Sequence, residues 1–302
     1  MLNVILETCA GTLTQGLIYA ILSYGIFITY KILDFPDLTV DGSFPLGAAV
    51  TAVLLTHGVN AWLTLPIALV IGALAGLCTG LIHVRAKVRD LLAGIITMTA
   101  LYSINLQIAG SNLMVERAID TIYTSAPVMA MLGSVPLLYR KLIVSLVLVA
   151  LIGLVLEWYF STKNGLLLRA VGDNDTLVTT LAVDKGRMKI LGLVIANALV
   201  ALSGCIVCQE GRSFSATMGT GQMVFGLAAV IIGTTLFRRM SFVKGTAAVV
   251  IGSILYKACI QIAILLGLPG NMLKFITAAL FLVILITGNL SGRKGGADRA
   301  GA

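Results

Sequence analysis

Residues 61–82 read AWLTLPIALVIGALAGLCTGLI and contain no charged side chain. At about 1.5 Å per residue, a helix over this stretch is about 33 Å long, enough to cross a bilayer core of about 30 Å. Gly72, Gly76 and Gly80 stand four apart on one face of it. Small residues at that spacing let another helix approach closely, so the stripe is structural.

Comparable blocks lie on both sides of this one. Gly11–Tyr30, Leu91–Gly110, Leu142–Leu156, Ile190–Cys208 and Met223–Phe237 are apolar, as are Gly245–Tyr256, running on past Lys257 to Gly267, and Phe275–Leu290. Ser43–Thr56 is a shorter block close behind the first. The chain is 58% hydrophobic and 11% charged, where a soluble domain carries about 25% charged residues. That excludes disorder and argues against a soluble fold. The expected fold is an all-α polytopic membrane helix bundle of about nine spans, with one broken or re-entrant segment. Residues 1–302 are expected to form one transmembrane domain, with a cytoplasmic loop at 161–189 and a short cytoplasmic tail at 291–302.

Of the 21 basic residues, 15 fall in alternate linkers and the tail: Lys31, Arg85, Lys87, Arg89, Lys163, Arg169, Lys185, Arg187, Lys189, Arg238, Arg239, Lys244, Arg293, Lys294 and Arg299. Five, namely Arg117, Arg140, Lys141, Arg212 and Lys274, fall on the other side. The positive-inside rule puts the first set in the cytoplasm. With nine spans the N-terminus is external and the C-terminus cytoplasmic. The first basic residue, Lys31, follows the first block, so no signal-peptide pattern is seen and that block is expected to remain as a helix. The net charge of +8 is then mostly a topology signal. It does not point to nucleic acid, which needs basic and aromatic residues on one soluble face.

Residues 31–42 read KILDFPDLTVDG. Asp34, Asp37 and Asp41 stand among apolar residues, with Pro36 and Pro45 nearby. Proline interrupts a continuous helix. Two readings stay open, a broken or re-entrant segment at membrane depth and a solvated cytoplasmic turn. The stretch at 161–189 reads STKNGLLLRAVGDNDTLVTTLAVDKGRMK. Gly172 is expected to stop one helical turn, and Asp173, Asn174 or Asp175 to cap a short helix over about 175–182. Leu177, Val178 and Leu181 give that helix an apolar face fit for docking against a partner, or for a surface loop touching headgroups.

Lys257 lies inside an apolar run, one turn before Gln261. An ammonium there needs a partner or water. It is either a pore-facing cation that meets an amino-acid carboxylate, or a salt-bridged or snorkelling structural residue. No phosphate-binding G-x-x-x-x-G-K-[ST] occurs, so the chain itself is not expected to hydrolyse ATP. His57 and His83 have no second ligand at i+4, and Cys205-x-x-Cys208 lacks the strand and turn of a redox motif. No metal, cofactor or catalytic residue is expected.

The segment RAVGDN at 169–174, the GTGQMVFGLAAVIIGTTLF at 219–237 and the early LTVDGSFPLGAAV at 38–50 together resemble the permease subunits of bacterial ABC importers. The nearest class serves branched-chain amino acids and ribose-type sugars. The longer string LDFPDLTVDGSFPLGAAVTA is similar to a subgroup paired with lipoprotein-type binding proteins, several linked to tryptophan or other aromatic amino acids. The resemblance covers residues 10 to 290. Sugar permeases of that class usually carry one more N-terminal span, which this sequence does not show.

The resemblance implies a multi-pass protein of the bacterial plasma (inner) membrane. It implies a homodimer or heterodimer of permease subunits, cytoplasmic ATPase subunits beneath them and an extracytoplasmic substrate-binding protein above. Asp37, Thr39, Asp41, Gly42, Ser43 and Lys257 are then expected near the translocation path. Arg169, Gly172, Asp173, Asn174, Leu177 and Leu181 are expected to couple to the ATPase. Two other classes are weighed. A secondary transporter should show intramembrane acids in both halves, and they occur only in the first. A lipid-modifying membrane enzyme needs His or basic partners beside the acids, and the motif has none.

Overall fold

Pro36 ends the first membrane helix. In the computed structural model, which describes residues 2–173, 184–237 and 244–265 and positions 267, 275, 278, 279, 282 and 283, α1 (Leu2–Ile26) widens into a π-helical turn over Phe27–Ile32. The Leu33 N–H reaches back to the Ile28 carbonyl at 3.0 Å and the Phe35 N–H to the Thr29 carbonyl at 2.9 Å. The proline has no N–H and pushes Phe35 out of the helical region. Asp34 takes a left-handed φ of 51°, which a short polar side chain tolerates. After this break the chain turns back as α2 (Val40–Thr56).

The remaining helices are α3 (Ala61–Val84), α4 (Asp90–Ala109), a short α5 (Ala126–Leu132), α6 (Leu137–Ser161), α7 (Lys163–Asp173), α8 (Lys185–Gly211), α9 (Gln222–Leu236) and α10 (Gly245–Leu265). Two three-residue strands, β1 (Asn112–Met114) and β2 (Ser213–Ser215), pair antiparallel with Leu113 opposite Phe214. The architecture is helical, as expected. Among the described residues, six helices are long and apolar enough to cross a membrane, and α2 and α9 are shorter apolar helices. The expected ninth span, Phe275–Leu290, lies almost wholly outside the described residues, so the count of nine is not reached here.

Helix ends differ from the expected blocks because charge was used to mark them. The α6 helix starts at Leu137, not Leu142, and takes in Arg140 and Lys141. Arg140 is buried, but its guanidinium donates to the Gly133 and Val135 carbonyls at 3.3 and 2.9 Å. Lys141 pairs with Glu210 at 2.8 Å. Local acceptors thus hold both cations at the helix end.

Two-thirds of the most apolar stretch is buried in the first span, Leu6–Ile32, and in α8, against a third or less in α3, α4, α6 and α10. The first two form the centre, and the others carry apolar outer faces such as Leu63, Val70 and Leu74 on α3 and Leu146, Leu151 and Leu154 on α6. Water would not tolerate such surfaces, whereas lipid does. The glycine stripe of α3 packs on α8. A Cβ at Gly72 would fall on the Asn197 carbonyl and one at Gly76 on the Leu193 carbonyl. Further along α8, Gly204 meets the Phe44 carbonyl of α2 in the same way.

One end of the bundle is stitched by polar contacts. The Arg212 guanidinium donates to the Glu116 and Ile119 carbonyls at 2.8 Å each. The Gln209 side-chain oxygen accepts from the Ile122 N–H at 2.9 Å, and the Trp62 indole N–H donates to the Ser125 hydroxyl at 2.9 Å. The other end carries α7. Its Gly172 lies against the Ile32 carbonyl, and Leu168 and Val171 are buried there.

Candidate functional site

The break after α1 holds a buried carboxylate. Asp37 is 1% exposed. One oxygen accepts the Thr39 N–H at 2.9 Å and the other accepts the Asn197 side-chain amide of α8 at 2.7 Å. That amide also donates to the Leu193 carbonyl at 3.1 Å, and its oxygen accepts the Ser43 hydroxyl at 2.7 Å. The Thr39 hydroxyl meets that of Thr79 on α3 at 2.8 Å. Five side chains on the break, α2, α3 and α8 are therefore joined in one network. The solvated-turn reading does not describe Asp37, although Asp34 is exposed.

Asp41 and Gly42, one turn further on, face other elements. The Gly42 carbonyl accepts the Asn105 amide of α4 at 3.1 Å, and a Cβ on Gly42 would press on Met98 and Leu101. The Asp41 carboxylate accepts the Gly221 N–H at 3.0 Å and the Met223 N–H at 2.8 Å. It caps the N-terminus of α9, where free N–H groups and the helix dipole favour an anion. Phe225, in the first turn of α9, stacks edge-on against Tyr19 at 4.9 Å. Tyr19 lies well inside α1, so α9 begins within the bundle and not at its end.

Lys257 of α10 points at the same place. Its Nζ is 3.6 Å from the ring centre of Tyr19 and 5.2 Å from that of Phe225. Phe44 and Tyr256 extend the aromatic cluster at 5.9 and 5.0 Å. Lys257 makes no salt bridge among the described residues. Cation–π attraction offsets part of the cost of an ammonium in a membrane helix, about 0.5–2 kcal/mol against about 2.5–3.5. Taken as a whole, the residue is partly buried.

At the α7 end, Arg169 lies 5.0 Å over the Phe160 ring. The expectation that Gly172 stops a helical turn is corrected: α7 runs through it to Asp173. The glycine is needed for close approach to the Ile32 carbonyl, not for a turn. Asn174, Leu177 and Leu181 lie outside the described residues.

Sequence reading did not single out Asn197, Thr79, Asn105, Tyr19 or Phe225. Asn197 and Asn105 did carry a signal, since each is an amide inside an apolar run and needs a partner there. Tyr19 and Phe225 carried none, because aromatics are ordinary core residues.

A fold of apolar helices, broken twice inside the bundle with a half-helix capped by a carboxylate, is the build of a membrane transporter. A family model described as "Branched-chain amino acid transport system / permease component" matches residues 8–285. The chain belongs to that family and is a permease component of an ABC-type transport system. It is 38% identical over 281 residues, covering 93% of this chain and 91% of the relative, to a protein of Clostridioides difficile named "Tyrosine transport system permease protein". It is 34% identical over 226 residues to an uncharacterized protein of Rickettsia prowazekii, covering 74% and 76%. A ribose import permease protein of Haemophilus influenzae is 25% identical, covering 78% of this chain and 68% of its own. No solved structure matches.

Proposed function

We propose that this chain forms, with a second permease subunit, the translocation path of an ABC importer for an amino acid with an aromatic side chain. The observation that carries the substrate class is the near full-length similarity to the tyrosine transport system permease. The face of α4 supports a path between subunits. Ser103 and Gln107 stand one turn apart and are exposed. Lipid offers such groups no partner, whereas a watered path between two copies does.

The chain does not hydrolyse ATP. A separate cytoplasmic ATPase supplies the stroke, and an extracytoplasmic binding protein delivers the solute. Asp37, Thr39, Asp41, Gly42 and Ser43 hold the break in α1–α2 beside the path. In this reading α7 and the C-terminus lie in the cytoplasm of a bacterial inner-membrane protein and the N-terminus is external, which the basic bias of the linkers supports. Arg169, Gly172 and Asp173 lead into the coupling segment, where Asn174, Leu177 and Leu181 pack into the ATPase.

The test is a Leu177→Asp variant, purified with its ATPase. A buried Leu contributes about 2–5 kcal/mol, so the variant is expected to lose the ATPase while the permease remains inserted. A variant that keeps its ATPase and transports normally contradicts the coupling role.

A further inference from the structure

Lys257 is a charge inside the bundle for which the described residues provide aromatic faces but no anion. Gln222, one turn before Phe225 on α9, has its amide nitrogen held by the Met218 carbonyl at 2.8 Å, while its side-chain oxygen is buried without a donor. A cation with no anion among the described residues, a buried amide oxygen beside Tyr19 and two rings thus share one place.

A polar approach leads to it from one side. Gln15 stands one turn before Tyr19 on α1, and Gln261 one turn after Lys257 on α10. These helices are antiparallel, since Phe27 meets Gly245 while Gly16 meets Ile254. Both glutamines therefore lie on the same side of the ammonium. That side is the end of the β1–β2 pair, because α1 also runs antiparallel to α8, with Ile18 beside Ser203 and Gly25 beside Ala196. Gln15 is exposed, and Gln222, Lys257 and Gln261 are partly so.

We propose that Lys257, Gln222 and the rings of Tyr19 and Phe225 form a transient site for an aromatic amino acid zwitterion in transit. The solute carboxylate draws the Lys257 ammonium off the Tyr19 face, the solute ammonium donates to the Gln222 oxygen, and the solute ring takes the vacated face of Tyr19, which Phe225 backs edge-on. No bond is made or broken. The aromatic faces hold the lysine weakly enough to release it to a carboxylate, which a salt bridge within the chain would not do. This assignment rests on the amino-acid reading of the function, and makes the site a selectivity element inside the permease.

The measurement is solute moved per ATP hydrolysed, with the complete complex of permease, ATPase and binding protein in proteoliposomes, using labelled tyrosine. Lys257→Met is expected to lower that ratio about tenfold, as a lost charge-assisted contact does, and Lys257→Arg to stay within about threefold of wild type. A wild-type ratio in Lys257→Met overturns the proposal. So does an equal loss in Lys257→Arg, which marks a packing role for one side-chain shape. Should Lys257→Met not fold, Gln222→Leu carries the test, because it keeps the ammonium while removing the acceptor, along with the amide's bond to the Met218 carbonyl. It is expected to lower the ratio about fivefold, and a wild-type ratio overturns the proposal. The underlying function is judged separately, on the wild type alone: hydrolysis stimulated by the loaded binding protein without uptake of any aromatic amino acid contradicts the function itself.

Discussion

Asn197 holds the break in α1–α2 by facing two ways. Its amide nitrogen serves Asp37 and its oxygen serves Ser43. Replacing it with alanine leaves both partners buried and short of a bond, at about 1–3 kcal/mol each and more for the carboxylate. Ser43→Ala removes a single contact. Asn197→Ala is therefore expected to lower the melting temperature of the purified protein by clearly more than Ser43→Ala. Equal shifts would mean that Asp37 is satisfied elsewhere. The residues on the early side of this network were legible in sequence, because acids and prolines interrupt an apolar pattern within a few positions. Their partners on α3 and α8 were not. Contacts between residues as far apart in the chain as Asp37 and Asn197 leave no local mark, and an isolated polar residue says only that some partner exists.

At the scale of elements, α9 depends on a carboxylate from another helix. The Asp41 side chain takes two N–H groups at its start. Loss of such a cap costs about 0.5–2 kcal/mol. Asp41→Ala is expected to speed amide hydrogen exchange at Gly221 and Met223 relative to Ala228, deep in the same helix. Uniform protection along α9 would show that Asp41 is not its anchor. A second element-scale dependence is the seat of α7. Gly172→Leu drives a side chain into the Ile32 carbonyl, so α7 must move away from the π-helical turn. Proteolysis within 163–190 is expected to become faster, and an unchanged cleavage rate contradicts this packing. Element existence was readable from apolar length alone, whereas element ends were not. Arg140 and Lys141 looked like boundaries and proved to lie inside α6, where nearby carbonyls and Glu210 accept their charge.

For the whole molecule, two readings meet. The proposed orientation rests on the excess of basic residues in alternate linkers, and the polar stitching of Arg212, Gln209 and Trp62 closes the end of the bundle that carries β1 and β2. A reporter fused after Ala302 is expected to read cytoplasmic, and one inserted between residues 118 and 135 external. Both on one side would show that the expected count of nine is off by one. The membrane class was legible because composition is a global property. The layering around α1 and α8 was only partly so. The glycine stripe of α3 announced a close neighbour but not that the neighbour was α8. The central claim is ATP-driven passage of an aromatic amino acid through a path that this chain helps to form. The direct measurement is uptake of labelled tyrosine into proteoliposomes that hold the full complex. Uptake that requires ATP on the α7 side and survives collapse of the proton and sodium gradients is the predicted result. Uptake that proceeds without ATP and stops when those gradients collapse would contradict the account.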